Sequence, residues 1–253
     1  MPVISAAGII PALEDYFAQF PGDRQPVLFG SGPVQPTARR VIRHGPRSHY
    51  VGYFFSRKNN CHVPFESAIE KDACLLFEGA RPVRRYLSQP AEIQFRMHGR
   101  RRKTTPDFEL ICDKRRVYVE VKPEGKTRTA AFKDRVVAIK STGTLDGRNY
   151  RVLTDVEIRG PELPQIAALY ENARWRVSRT LIKVVAGWLI NLPDGTLYED
   201  AADQLKPYPM ARCALDGMIL DSVIRMDLGK PLGQQPIVTT EALRSLSLEC
   251  SYE

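Results

Sequence analysis

The stretch TPDFELICDKRRVYVEVKP, residues 105–123, decides the fold because it holds two short runs in which apolar and polar side chains alternate. The runs Phe108 to Cys112 and Val117 to Val121 flank the dipeptide Asp113-Lys114. This pattern predicts two antiparallel strands joined by a two-residue turn. One face of the predicted hairpin collects the phenylalanine, leucine, cysteine and valine side chains, so we expect that face to contact the core.

The length of the turn determines which charged side chains meet. With Asp113-Lys114 as the turn, Asp107 lies directly opposite Glu120, and Lys122 lies on the same face because side chains alternate with period two. A four-residue turn, Asp113 to Arg116, would place Asp107 opposite Lys122 and leave Glu120 diagonal on that face. A three-residue turn would destroy the arrangement.

Two carboxylates and an ammonium on one face suit phosphodiester hydrolysis. The carboxylates repel each other unless a cation lies between them, and hard oxygen ligands favour Mg²⁺ or Mn²⁺ over zinc. A lysine in such a site stabilises charge on the attacking or leaving oxygen. The alternative is a surface hairpin with cross-strand ion pairs and no catalytic role.

The segments around this hairpin predict an α/β protein. Apolar spacing favours helices at Glu66 to Glu78, Thr129 to Ile139 and Glu162 to Tyr170, and strands at Ala91 to Met97 and Tyr150 to Leu153.

Beyond Trp175 the pattern changes to three helices, Ser178 to Ile190, Leu197 to Leu205 and Met210 to Leu220. Two short strands follow, Ser222 to Asp227 and Pro236 to Thr239. This order predicts a winged helix, and therefore two domains, residues 1–174 and 175–253.

The distribution of charge indicates a polyanionic partner. The chain has 37 Lys and Arg against 29 Asp and Glu, a net charge of +8, and no acidic residue lies between Asp23 and Glu66. Residues 176–253, by contrast, carry 8 basic and 10 acidic side chains, a net of −2. The candidates for contacts to DNA in the two basic runs are Arg39, Arg40, Arg43, Arg47, Arg100, Arg101, Arg102 and Lys103, and the alternative is a solvated arm and a solvated hairpin tip. Weaker candidates follow the second strand of the hairpin, namely Lys126, Arg128, Lys133 and Arg135, and the alternative there is a solvated helix face.

Cysteine usage and hydropathy indicate the cellular compartment in which the protein works. The five cysteines are odd in number, widely spaced and form no Cys-x-x-Cys pair, so neither a disulfide framework nor a zinc finger is expected. The start lacks a basic n-region, and Lys183 and Asn191 interrupt the longest apolar stretch, Leu181 to Leu192. We expect no membrane association, and a cytoplasmic protein that joins the nucleoid when bound to DNA.

Two sets of residues resemble a known family. Thr105-Pro106-Asp107-Phe108 followed by Val119-Glu120-Val121-Lys122-Pro123 resembles the Pro-Asp, then Glu-x-Lys, motif of restriction-type nucleases. Phe65 to Glu70, followed by Val83 to Tyr86 and Gln89-Pro90, resembles the TnsA family, the nuclease subunit of heteromeric cut-and-paste transposases. The similarity runs in order from Gly45-Pro46-Arg47-Ser48-His49 to Thr154-Asp155-Val156-Glu157-Ile158.

The resemblance implies a restriction-endonuclease-like core, a central mixed sheet flanked by helices, which the small winged-helix domain predicted from the order of elements would follow. By position, Glu70 corresponds to the family's helix glutamate, with Glu66 one turn earlier as the alternative ligand. Asp107 corresponds to the metal-binding aspartate and Lys122 to the catalytic lysine. Glu120 occupies a position where some members have glutamine, and the carbonyl of Val121 is implied as a further metal ligand.

The resemblance also implies a function. It is the Mg²⁺-dependent cleavage of double-stranded DNA at the 5′ ends of a mobile element, with Mn²⁺ as a substitute. A DDE-type transposase would cut the 3′ ends, and an AAA-type ATPase would bind the C-terminal domain. Two alternatives stay open: a host-defence or repair nuclease of the same fold that acts alone, and a non-catalytic DNA-bound adaptor that recruits an ATPase.

Overall fold

The computed structural model describes residues 50–142 and 147–238, together with residues 19, 27–28, 33–37, 145 and 240–248. The chain forms two compact units. The sheet unit is Ser31–Leu163, and the helical unit is Pro164–Glu253 together with Met1–Gly30. They divide after Leu163, whereas the sequence predicts a division after residue 174. The predicted DNA-contacting residues Arg39, Arg40, Arg43 and Arg47 lie outside the described residues.

The elements are numbered in chain order. The strands are β1 (Val27–Leu28), β2 (Gly52–Ser56), β3 (Cys61–Phe65), β4 (Val83–Ser88), β5 (Ile93–Met97), β6 (Arg100–Thr104), β7 (Phe108–Cys112), β8 (Arg116–Lys122), β9 (Asn149–Thr154) and β10 (Trp175–Arg176). The helices are α1 (Ala68–Gly79), α2 (Glu124–Thr127), α3 (Ala130–Lys140), α4 (Asp155–Ile158), α5 (Glu162–Ala173), α6 (Arg179–Ile190), α7 (Tyr198–Gln204), α8 (Pro209–Leu220) and α9 (Glu241–Leu248), with a 3₁₀ turn at Leu232–Gln234.

The sheet unit is built on a mixed four-stranded sheet in the order β4-β7-β8-β9. Strands β4, β7 and β8 are antiparallel neighbours, and β9 runs parallel to β8. Phe108 pairs with Val119 and Leu110 with Val117, and the Cys112 N–H donates to the Arg115 carbonyl at 2.9 Å. The turn between β7 and β8 is therefore Asp113-Lys114, and the predicted register is confirmed.

Helices cover both faces of this sheet. On one face the Phe77 ring of α1 lies edge-on to Phe108, with ring centroids 5.3 Å apart. On the other face Tyr118 and Tyr150 belong to an apolar cluster with Ile139 of α3. The predicted polar face is therefore not open along its length, because α3 and the hairpin β5–β6 pack over it.

The helical unit contains the three predicted helices close to their predicted bounds, as α6, α7 and α8. Helix α8 is buried along almost its whole length. Its Asp216 carboxylate has no exposed surface and accepts hydrogen bonds from Asn172, Tyr198 and Arg212. The polar groups of α8 are thus satisfied inside the protein.

The two strands predicted after α8 are not found as strands in the described part of the chain. The segment makes only isolated bridges, Arg225 with Val238 and Leu197 with Pro236. Proline at 236 has no N–H for a ladder, and the Gln235 side chain donates to the Asp227 carbonyl at 2.7 Å, so side-chain bonds replace strand pairing. Helix α9 was not predicted. No helix among the described residues is long and apolar enough to cross a membrane.

Candidate active site

Three of the predicted residues meet at the open end of the β7–β8 hairpin. The Lys122 Nζ atom lies 3.7 Å from Asp107 Oδ2 and 3.4 Å from Glu120 Oε1. Asp107 directly precedes β7, and its Oδ2 accepts a hydrogen bond from the Val121 N–H at 2.7 Å. The prediction that two carboxylates and an ammonium share one face is confirmed.

Glu70 lies in the first turn of α1, where the N-cap holds its carboxylate. Its Oε2 accepts the Glu66 N–H at 2.8 Å, and its Oε1 accepts the Ser67 hydroxyl at 2.9 Å. The Ser67 hydroxyl in turn accepts the Glu70 N–H at 3.2 Å. This reciprocal capping fixes where the helix begins and in which direction the Glu70 side chain extends.

The Asp107 carboxylate opposes the ionisation of Glu70. Burial raises the pKa of Glu70 to about 7, and the negative charge of Asp107 adds to the rise. Burial also raises the pKa of Asp107, although Lys122 and the Val121 N–H act in the opposite direction. The pair therefore costs free energy when both groups are ionised.

Glu66 and Gln89 connect the helix to the strand. The Gln89 side chain donates to Glu66 Oε1 at 2.8 Å, while the Gln89 N–H donates to the Asp107 carbonyl at 2.9 Å. Gln89 has a φ of 44°, in the left-handed region that residues other than glycine seldom adopt. Glu66, the alternative metal ligand, is thus engaged by a glutamine that also fixes the backbone at Asp107.

The Glu120 carboxylate is held by two residues that the sequence did not single out for this role. Its Oε1 accepts Arg135 Nη1 at 2.9 Å, and its Oε2 accepts the Tyr150 hydroxyl. Burial alone would raise the pKa of Glu120, but these two hydrogen bonds and the charge of Lys122 lower it. Arg135, expected along the DNA backbone, instead turns inward and also donates to Thr104 at 2.8 Å.

One signal in the sequence points to Tyr150. If β9 is recognised as the parallel neighbour of β8, alternation puts Tyr150 and Val152 on the face that carries Glu120. Arg135 has no comparable signal, because its side chain reaches Glu120 only through the packing of α3 on the sheet.

The three predicted carboxylate ligands do not converge as expected. Among the described residues, no group of three or more His, Cys, Asp or Glu side chains is arranged to hold a metal ion. The Glu120 carboxylate is instead held by Arg135, Tyr150 and Lys122. Glu70 and Asp107 supply hard oxygen donors whose mutual repulsion a divalent cation would relieve, so this donor pair fits Mg²⁺ or Mn²⁺.

The described basic candidates lie at the surface. Arg100, Arg101, Arg102 and Lys103 form most of β6 and are exposed, as are Lys126 and Lys133. Lys103 makes an ion pair with Glu92 at 3.0 Å. Comparison of the sequence with protein-family models and with curated proteins gives no match.

Proposed function

We propose that this chain is a metal-dependent DNA endonuclease of the restriction-endonuclease-like superfamily. The observation that carries the proposal is the Lys122 ammonium between Asp107 and Glu120, together with the partly buried Glu70 carboxylate, whose pKa the charge of Asp107 raises. The α/β architecture, a mixed sheet flanked by helices, agrees with the fold that the resemblance implies.

The residues of the site would have different roles in catalysis. Glu70 and Asp107, with the Val121 carbonyl implied by the resemblance, would hold Mg²⁺ or Mn²⁺. When bound, that ion neutralises charge on the phosphate and lowers the pKa of a coordinated water. Lys122 donates a hydrogen bond to the attacking or leaving oxygen. In this role Glu120 keeps the Lys122 ammonium in place and is not itself a metal ligand.

We place this activity in transposition of the TnsA type, at the 5′ ends of a mobile element. A DDE-type transposase would act at the 3′ ends, and an AAA-type ATPase would bind the helical unit. Two features support a protein partner for that unit. Residues 176–253 have a net charge of −2, and α8 is buried with Arg212 paired to Asp216 at 3.1 Å. A buried helix whose arginine is already paired has few side chains that could contact phosphates or base edges.

The test is strand cleavage on DNA that carries the element's ends, with transposase and ATPase subunits from the same locus and Mg²⁺. Asp107→Ala and Lys122→Ala should each reduce cleavage about 100-fold or more while the protein stays folded. The matched control is Lys114→Ala, an exposed lysine in the turn at the other end of the hairpin, which should leave cleavage unchanged.

Other outcomes separate the rival functions. Cleavage of plasmid DNA by the isolated chain would favour a host-defence or repair nuclease. Normal cleavage by the Asp107 or Lys122 variant would show that the proposed active site is wrong. Binding of DNA and ATPase with no cleavage in any assembly would favour the adaptor.

A further inference from the structure

The hairpin β5–β6 carries a concentration of positive charge on a rigid support. Residues 93–106 contain five basic side chains and no acidic one. Within the part of the chain that the structure describes, none of the four arginines of this segment has an ion-pair partner, whereas Lys103 pairs with Glu92. The four are Arg96, Arg100, Arg101 and Arg102.

Two anchors hold the hairpin in place. Ile93 and Phe95 are buried in the apolar cluster formed with Tyr118 and Ile139, and the Thr142 hydroxyl donates to the Gln94 carbonyl at 3.0 Å. Since a fixed element loses little freedom on binding, these cations are better placed for a ligand than those of a loose arm.

The register sorts the side chains of the hairpin into two faces. Phe95 pairs with Arg102 and points to the core, so Arg96 and its partner Arg101 point to solvent. Two arginines directly opposite each other repel, and nothing in the described residues compensates that repulsion. An anion between them would, so the pair is suited to bind phosphate.

The position of the hairpin relates these cations to the site of cleavage. Thr104, the last residue of β6, accepts a hydrogen bond from Arg135, which in turn donates to Glu120 beside Lys122. Asp107 follows three residues after Thr104. A polyanion held by the hairpin would therefore pass close to Asp107 and Lys122.

We infer that the β5–β6 hairpin is a cationic ribbon that binds double-stranded DNA in the major groove, with Arg96 and Arg101 as its central contacts. A two-stranded ribbon fits the major groove of B-form DNA. The solvent face has no aromatic side chain on which unpaired bases could stack, since Phe95 is buried, and this disfavours single-stranded DNA. The inference rests on the proposed function and identifies the element that binds its DNA substrate.

Binding is measured with EDTA present, so that affinity is separated from cleavage. The full chain is titrated into a labelled 30-base-pair duplex, and into one of its strands alone, over a range of salt concentrations. The variant is Arg96→Gln/Arg101→Gln. The matched control is Lys114→Gln/Arg115→Gln. It removes the same charge from two exposed residues at and next to the β7–β8 turn, at the end of the β7–β8 hairpin far from Asp107.

The hairpin variant should bind the duplex at least about tenfold more weakly, because two charged hydrogen bonds are lost. The slope of log affinity against log salt should fall by about 0.9, since Arg96 and Arg101 share one phosphate and each phosphate contact contributes about 0.9. The single strand should be affected less. The melting temperature of the variant should not fall, because a repulsive pair has been removed.

Arg96→Glu serves as a second variant, since an opposite-charge pair with Arg101 preserves the hairpin while DNA affinity falls further. Equal losses in the hairpin variant and the control, or equal losses for duplex and single strand, overturn the inference. So does unchanged duplex affinity. If the wild-type chain binds no DNA, the proposed function fails and the inference fails with it; if it binds and only the hairpin result is negative, the proposed function stands.

Discussion

Replacing Glu70 by glutamine should stabilise the free protein and inactivate it. The folded protein holds a proton on Glu70 up to a pKa of about 7, whereas the unfolded chain releases it near the ordinary value of 4.5. The unfolded state therefore binds fewer protons between these values, and stability falls as pH rises through this window. Each tenfold change in proton affinity corresponds to about 1.4 kcal/mol, so the full cost above pH 7 is roughly 3 kcal/mol.

Glutamine resembles the neutral carboxyl group in shape and can accept one of the two hydrogen bonds at the helix start. Glu70→Gln should therefore raise the free energy of unfolding by about 3 kcal/mol at pH 8 but by less than about 1 kcal/mol at pH 5. The assay is urea denaturation in EDTA at both pH values. Asp134→Asn, at an exposed carboxylate on α3, controls for the loss of one negative charge.

Adding Mg²⁺ at pH 8 should recover stability in the wild type and not in the Glu70 variant, because an ion that binds only the folded state shifts unfolding by mass action. A gain of equal size at pH 5 and pH 8 would contradict this prediction. It would show that the stabilisation comes from packing or helix propensity and not from the ionisation of Glu70.

Two further predictions concern buried polar groups. Arg135→Met should lower the free energy of unfolding by roughly 1–3 kcal/mol, because Glu120 then loses a donor inside the protein; chemical denaturation measures this, and an unchanged midpoint would show that Arg135 does not hold Glu120. Asp216→Ala should cost about 3 kcal/mol, since it leaves the partly buried Arg212 without its carboxylate. A thermal scan that shows no drop in melting temperature would contradict the burial assigned to Asp216.

The β7–β8 hairpin could be predicted because residues close together in the sequence determine it. Alternation in Phe108 to Cys112 and Val117 to Val121, with Asp113-Lys114 between them, specifies both the register and the shared face of Asp107 and Lys122. The start of α1 differs from the prediction, because the helix was predicted from Glu66 whereas Ser67 is its N-cap and Ala68 its first residue. The place of Glu70 was implied by the resemblance and not by the local pattern.

The features that the sequence did not reveal depend on contacts between distant segments. Arg135 and Tyr150 reach Glu120 only because the chain crosses over from β8 through α3 to a parallel β9. Strand β6 has no alternation in its run of four cations, so its strand character follows from pairing with β5. The predicted strand at Pro236 failed because a proline and the bonds of Gln235 disfavour a ladder there.

We propose that Glu70 and Asp107 form a divalent-cation site that serves DNA hydrolysis, and Mn²⁺ binding tests this proposal without any partner protein. Titration of the full chain with Mn²⁺ at pH 8, followed by the electron paramagnetic resonance signal of the free ion, counts bound ions directly. We predict saturable binding by the wild type and by Lys122→Ala, and its loss in Asp107→Ala and Glu70→Gln. Binding that survives in both carboxylate variants, or no binding by the wild type at millimolar Mn²⁺, would contradict the proposal.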